Sequence, residues 1–514
     1  MGLVGLKGMT LARARVCLIV VPSFLLFGYN QSNIGGVLNY PSFIRHFPAI
    51  DTSSTTGSVK ATNAKVQGTV VAIYTIGCLI GALAVTQIGN RIGRRKSLMI
   101  AAAIAAAGQI IQTSSFSLGQ LVVGRIVSGI GNGGANAVVP VWQSECTVPV
   151  SRGKNVVIVG IFIASGIAAA GWVNVGFSFM KTSEIAWRFP LAVPIIFASM
   201  IMAFTLFFPE SPRWLISKGQ LAEAHETMRK LSKYENIDDE AIRLEIDNIS
   251  SLLQQGSQRE RGFLDLFKPS SQRLFYRLCL AITINFCAQM TGANVVSYYG
   301  STIFEESLGL SEKKASLLNA GVLTWKIVAA ISAYFSVDRF GRKPLFITAC
   351  LGMGLSMAAL SGSVWAIDYR DSFGASVAAT FFLFSFMTFF PLGFIGANFL
   401  YSAEIAPQDL RMHLAAIGTA THWLFNFVIV EITPIAFVTI RWKYYIVYAA
   451  IGVSVAALIY FSFPETNGRS LEEMDDLFSD PEHWWQVPVY TRALKIGKPE
   501  ISPAKSSVTH IEKV

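Results

Sequence analysis

Long apolar runs broken by short charged punctuation dominate this chain. A helix needs about 20 mostly apolar residues to cross roughly 30 Å of hydrocarbon. Twelve runs meet that need: 16–38, 66–88, 97–116, 119–143, 155–178, 186–208, 274–302, 314–336, 344–366, 374–402, 412–438 and 443–462. They are called spans 1 to 12. Backbone amides in lipid must be satisfied within their own segment, so each run is predicted to be a helix. Spans 7 and 10 are long enough to tilt or break. The expected fold class is an all-α membrane protein embedded in a lipid bilayer.

Composition agrees with that pattern. Of 514 residues, 52% are hydrophobic and only 14% charged, too little charge for a soluble chain of this length. The net charge of +10 would fit a nucleic-acid binder if it were clustered on a polar surface. Instead the basic groups sit between spans: Arg91, Arg94, Arg95 and Lys96; Arg152 and Lys154; Arg339, Arg342 and Lys343. Alternating spans put all of these on one face, which the positive-inside rule makes cytosolic. Both termini are then expected in the cytosol. Lys60, Lys65, Lys313 and Lys314 run against the bias. The six cysteines form no paired motif, so no disulfide framework or metal site is expected. Span 1 is too long, and too polar at its far end, for a cleaved signal peptide. No nucleotide loop or catalytic triad is visible, and neither enzyme activity nor a cofactor is expected.

The punctuation itself repeats. Asn90-Arg91-Ile92-Gly93-Arg94-Arg95 follows span 2, and Asp338-Arg339-Phe340-Gly341-Arg342-Lys343 follows span 8. Glu145 precedes Arg152 by seven residues, as Glu404 precedes Arg411. Pro209-Glu210 ends span 6 and Pro464-Glu465 ends span 12. The offsets are 248, 259 and 255 residues (338 − 90, 404 − 145, 465 − 210). Three signatures in one order at nearly one spacing indicate two homologous six-span halves, 1–208 and 274–463. Acids and arginines meeting at the inner membrane surface make charge-assisted pairs stronger than those in bulk water. Arg94, Glu145, Arg152, Glu210, Arg342, Glu404, Arg411 and Glu465 are therefore expected to form a cytosolic latch.

Residues 209–273 differ in being rich in charge. Leu221–Lys233 and Glu240–Gln255 show helical apolar spacing, which predicts a cytosolic domain of short amphipathic helices. The sequon Asn248-Ile249-Ser250 falls on this side and should be silent. Residues 464–514 form a cytosolic tail, polar and expected to be disordered from Ser479.

Six motifs carry a resemblance. They are Gly89–Lys96 (GNRIGRRK), Gly124–Gly131 (GRIVSGIG), Pro140–Gly153 (PVWQSECTVPVSRG), Pro209–Leu215 (PESPRWL), Val337–Pro344 (VDRFGRKP) and Pro464–Asp475 (PETNGRSLEEMD). Together they make the chain similar to the sugar porter family of the major facilitator superfamily, particularly its fungal members. The resemblance implies two pseudo-symmetric six-helix bundles that close alternately around a central site.

It also implies site residues. Span 7 of the family carries QQxxGxN and then YY; here it reads Ala288-Gln289-Met290-Thr291-Gly292-Ala293-Asn294, then Tyr298-Tyr299. Gln289 and Asn294 offer amides suited to vicinal hydroxyls, Gly292 lets the helix break, and Tyr298 and Tyr299 are implied outer-gate residues. Phe399 stands at the family Trp of span 10. Trp423 and Asn426 match in span 11, where His422 replaces a common Asn. Gly160 and Ala288 replace usual glutamines, which thins the polar lining. Lys326 stands mid-span where the family often has Asn, twelve residues or roughly 18 Å from Asp338. A mid-bilayer lysine costs roughly 2.5–3.5 kcal/mol on insertion scales, so it should face a partner or a wet cavity. Glu431 of span 11 is one candidate partner, and an acidic substrate is the other.

Polar residues crowd the end of span 1: Asn30, Gln31, Ser32 and Asn33. Lipid would penalise them, so they should line the cavity. Asn30 resembles the site where proton-coupled members carry an Asp paired with the arginine that matches Arg125. An amide cannot titrate, which implies a facilitative carrier. His422 and Glu431 are the remaining candidate proton carriers. Arg125, if buried, is expected on the Asn30 carbonyl oxygen, on helix-end carbonyls or on an anionic substrate. The leading function is a plasma-membrane carrier of a monosaccharide or related polyol. Alternatives are a carrier of a sugar acid, quinate-like or secondary metabolite, and a transport-inactive nutrient sensor.

Overall fold

The computed structural model describes residues 8–489 apart from 147–151, 181–182, 232–238, 259–262, 269, 271, 371, 408–409, 468, 470 and 482. Among the described residues, eleven helices are long and apolar enough to cross a membrane. A twelfth, Leu118–Glu145, is as long but is diluted by six glycines, Arg125 and Asn132. It survives as span 4 because it lies between spans 2 and 3, which shield its polar groups from lipid.

Boundaries read from hydropathy fall close to the helices observed. Span 3 is Arg94–Thr113, span 5 Arg152–Phe177 and span 6 Ile185–Thr205. Span 8 is Glu312–Phe340, span 9 Arg342–Arg370, span 11 Arg411–Thr439 and span 12 Lys443–Ser462. Spans 1 and 2 depart most, starting earlier at Gly8 and Gly57 because the helices project beyond the apolar run.

Both over-long runs are broken. Span 7 is Leu274–Met290 followed by Ala293–Thr302, with Gly292 between them at φ +86°. Span 10 is Phe373–Phe394 followed by Ala397–Glu404, with Gly396 at φ +89°. Positive φ costs an L side chain on the order of 1–2 kcal/mol, which glycine avoids.

Two contacts dominate between spans 1–6 and 7–12: span 2 on span 11, and span 5 on span 8. Shifting each member by six spans interconverts the two contacts, as a doubled chain requires. Between the halves, helices Pro212–Ser217, Leu221–Leu231 and Asp239–Gln258 share a small core of Leu215, Ile216, Ala224, Ile242 and Ile246. Beyond span 12, helix Leu471–Ser479 is docked. Met474, Leu477 and Phe478 are buried in the core of the second half, and Asp475 accepts from Arg277 Nη1 at 2.6 Å. The tail from 490 lies outside the described residues.

Candidate functional site

The inner face, the one carrying the basic loops, divides labour among its acids. Arg94 donates to both carboxylate oxygens of Glu145, at 2.9 and 2.8 Å. Glu210 instead accepts from the backbone N–H groups of Arg94 and Arg95, at 3.0 and 3.1 Å. It caps the positive end of span 3 and does not pair with a guanidinium. The second half repeats the arrangement. Arg342 donates to Glu404 at 2.9 Å, and Glu465 accepts from the N–H groups of Arg342 and Lys343 at 3.0 and 2.9 Å. Gly93 and Gly341 make room for this, with φ of +93° and +88°. A Cβ on either would lie 2.5 or 2.8 Å from the capping carboxylate. Each of these networks ties helices within one half. The side chains of Arg152 and Arg411 lie outside those described.

At mid-membrane the polar side chains predicted from span 7 converge. Asn294 donates to Gln289 Oε1 across the helix break at 2.5 Å, and Gln289 Nε2 reaches His422 Nδ1 at 2.8 Å. His422 lies tilted at 4.9 Å against Phe399, which is 36% exposed, and edge-to-face at 5.6 Å against Trp423. Trp423 in turn meets Phe27 of span 1 at 5.4 Å. Asn426 is fully buried beside the Tyr298 hydroxyl. Yet neither its Oδ1 nor its Nδ2 has a partner in hydrogen-bond geometry, and the Tyr298 hydroxyl has none. Asn285, one turn before Gln289, was not foreseen. It accepts from Asn398 at 2.9 Å and donates to Ser402 at 3.1 Å. Its signal was available in the four-residue spacing from Gln289. Gly160 belongs to packing, because a Cβ there would lie 2.9 Å from the Ile395 carbonyl.

Asn30 is 1% exposed, and its Oδ1 accepts from Gln109 of span 3 at 2.6 Å. Gln109 links on to Gln112, which reaches Ser128 of span 4 at 2.7 Å. The two glutamines were legible as polar residues three apart in an apolar run. Ser128 Oγ donates in turn to the Arg125 carbonyl at 3.0 Å, but the Arg125 guanidinium is held elsewhere. Its Nε and Nη2 donate to the Val70 and Val71 carbonyls at 3.1 and 2.6 Å, and its guanidinium lies 4.9 Å from the Tyr74 ring. This corrects the expectation of Asn30 or helix-end partners: both carbonyls lie inside span 2. A guanidinium fork can reach adjacent carbonyls that also serve their own helix.

The expected pair of Lys326 with Glu431 is not formed. Lys326 Nζ donates to Ser297 Oγ at 3.1 Å and sits 5.0 Å from the Phe390 ring. Glu431 accepts from Thr69 Oγ1 of span 2 at 2.8 Å. Span 11 turns Glu431 towards span 2, while Lys326 turns into the second half, so the two groups face different neighbours.

Hydrogen bonds between the halves gather on the outer side. Asn39 donates to Glu305 at 2.7 Å, Thr52 and Lys60 reach Glu306 at 3.3 and 3.5 Å, and Trp172 Nε1 donates to Thr324 at 2.9 Å. Below them Tyr298 and Tyr299 are buried among Ile34, Val37, Val70, Val71 and Val430. Tyr299 donates to the Val430 carbonyl at 3.0 Å. Gly35 of span 1 packs so closely on the Tyr298 carbonyl that any side chain would collide. In the outer loop, burial pushes the Asp51 carboxyl up. Hydrogen bonds from Ser54 and Ser53 together outweigh that and hold it below the usual carboxylate range.

A paired bundle with its polar residues turned inward is the setting in which sequence comparison becomes decisive. The family described as sugar (and other) transporter matches residues 16–478. The chain belongs to that family. Its members are transporters, not enzymes, and it is a multi-pass membrane protein. The chain is 35% identical over 459 residues to the MFS-type transporter oryC of Aspergillus oryzae, covering 88% of this chain and 83% of that protein. It is 31% identical over 504 residues to the sugar transporter STL1 of Saccharomyces cerevisiae, covering 96% and 87%. The proton:xylose symporter XylE, solved with 6-bromo-6-deoxy-D-glucose, superposes with a TM-score of 0.72 at 26% identity. That match covers 90% of this chain and 98% of the other. The inward-open form of the xylose transporter XylE from E. coli gives 0.70 at 25%, covering 90% and 99%. The fold is that of the major facilitator superfamily.

Proposed function

We propose that this protein carries a monosaccharide or related polyol across the plasma membrane by alternating access, as a facilitator without proton coupling. The observation that carries the reading is the Asn30 site. A neutral amide is held there by a neutral amide, Gln109, and the nearby arginine is occupied by backbone carbonyls. No proton can be taken up or lost at Asn30 to bias one conformation over the other. Sugar chemistry is supported by the names of its relatives, among them STL1 and the hexose transporters HXT9 and HXT11 of S. cerevisiae.

The residues fall into roles on this reading. Gln289, Asn294 and Asn426 meet substrate hydroxyls, and Asn426 has both amide atoms unclaimed. Phe399 and Trp423 face the apolar CH surface of the ring. Tyr298 and Tyr299 close the outer path, seconded by the contacts of Glu305 and Glu306. The outer path is therefore closed in this conformation. The pairs Arg94–Glu145 and Arg342–Glu404 keep each half rigid as it rocks.

Purified protein in liposomes provides the test. Uptake of labelled hexoses, pentoses and polyols should run to equilibrium and no further, with or without an imposed pH gradient. Accumulation above equilibrium that collapses with a protonophore would overturn the facilitative reading. A fluorescent fusion retained in internal membranes would overturn the cell-surface placement.

A further inference from the structure

Lys326 is the charged group whose environment least resembles that of a structural ion. It is 2% exposed at the middle of span 8. One of its three N–H donors goes to Ser297 Oγ, whose own hydrogen goes to the Ala293 carbonyl. The Phe390 ring covers another side. Among the described residues no carboxylate lies within ion-pair distance. Candidate acids are engaged elsewhere: Glu431 by Thr69, Glu306 by Lys60 and Thr52, Glu305 by Asn39, and Glu404 by Arg342. Arg125, equally buried, is satisfied by two carbonyls, so the fold does compensate a buried cation where the role is structural. At Lys326 the compensation among the described residues is one hydroxyl and one ring face.

The position adjoins the polar residues of span 7. Ser297 follows Asn294 by three residues, ~4.5 Å of rise along the outer half of span 7, and Lys326 Nζ is hydrogen-bonded to Ser297 Oγ. Span 8 also forms the seam with span 5, through Leu323 and Ile327 packed on Ile163, Ile167 and Ala168. A desolvated ammonium held by one hydroxyl and one ring face, beside sugar-type amides, is a seat for an anion.

We propose that Lys326 is a substrate-binding residue that selects a polyhydroxylated solute bearing a carboxylate, that is, a sugar acid. Hydroxyls meet Gln289 and Asn294 while the carboxylate accepts from the Lys326 ammonium on the side that Ser297 and Phe390 leave open. The substrate then brings the countercharge that the protein lacks. This rests on the reading of the site as one for a polyhydroxylated solute and narrows it.

D-gluconate and D-glucitol are suited to the test, since they share a six-carbon chain and differ at one end in carboxylate against hydroxymethyl. Uptake of each would be measured in a transporter-deficient yeast expressing the full chain, at about pH 6.5, where gluconate is ionised. Wild type should carry gluconate faster than glucitol. Lys326→Met at equal membrane abundance should lower the ratio of gluconate to glucitol uptake by on the order of 30-fold or more. Lys326→Arg should retain gluconate. Purified wild type should also gain thermal stability from gluconate and less from glucitol, a readout that does not depend on the Met variant folding. Carriage of glucitol with no carriage or binding of gluconate would overturn this inference and leave the polyol reading standing. Equal loss of both solutes in Lys326→Met would likewise overturn it. Carriage and binding of neither would overturn both.

Discussion

Gly292→Ala tests whether the break in span 7 builds the site. The residue sits at φ +86°, where a Cβ costs on the order of 1–2 kcal/mol. The new methyl would also lie 2.7 Å from Cδ1 of Tyr448. That ring cannot swing freely, because its hydroxyl bonds to Tyr444, whose own hydroxyl bonds to Thr433. Overpacking of this kind adds about 1–3 kcal/mol. The sum is roughly 2–5 kcal/mol, or a melting temperature lower by roughly 4–20 °C for a half of about 200 residues. Function should suffer beyond stability, since the break sets the 2.5 Å contact between Asn294 and Gln289. Fluorescence-detected melting of detergent-solubilised protein, with uptake normalised to membrane abundance, reads both effects. In a Tyr448→Leu background the steric part should vanish and only the ~1–2 kcal/mol backbone part remain. If Gly292→Ala melted and transported like wild type, the argument that left-handed geometry at this break organises the amides would be wrong.

The two inner acids should respond differently. Glu145→Gln leaves the Arg94 guanidinium without its carboxylate and should cost about 3 kcal/mol. Glu210→Gln removes a helix-cap charge and should cost about 1 kcal/mol; the same melting assay ranks them. In the outer loop, Asp51 has its carboxyl pKa held below the usual range. Its contribution is complete above the unfolded value of about 4 and is lost as pH falls through the lower folded value. Protection factors for amide exchange at residues 51–56, corrected for the intrinsic rate, should therefore fall in acid in wild type, and Asp51→Asn should remove that acid dependence. Asn30→Asp places a titratable group where Gln109 already donates, and it should make liposome uptake respond to a pH gradient that wild type ignores.

Much of the architecture could be read along the chain. Run length gave the spans, and the recurrence of Gly93-Arg94 as Gly341-Arg342 gave the doubling. Gly292 marked the break because a helix cannot easily hold a glycine flanked by polar residues without yielding there. Gln289, Asn294 and Trp423 were flagged by a motif, and the fold brings them together around His422. What each charge does was less visible. Glu145 and Glu210 look alike in sequence, yet one pairs with a guanidinium and the other caps a helix end. Asn30 was one of three expected partners for the Arg125 guanidinium, which instead takes carbonyls inside span 2. Glu431 was one of two candidate partners for Lys326, and the two groups face apart.

The division follows from range. Hydropathy, periodicity and glycine placement act within a few turns, so sequence alone determined that this chain makes twelve membrane-crossing helices in two matching sets, with span 7 free to break at Gly292. Which side chains meet across 79 residues, as Gln109 and Asn30 do, depends on how the helices rotate and lean when packed. A rotation of one helix by a single residue position turns a side chain by about 100°, from one neighbour to the next. Only the tertiary structure could decide that.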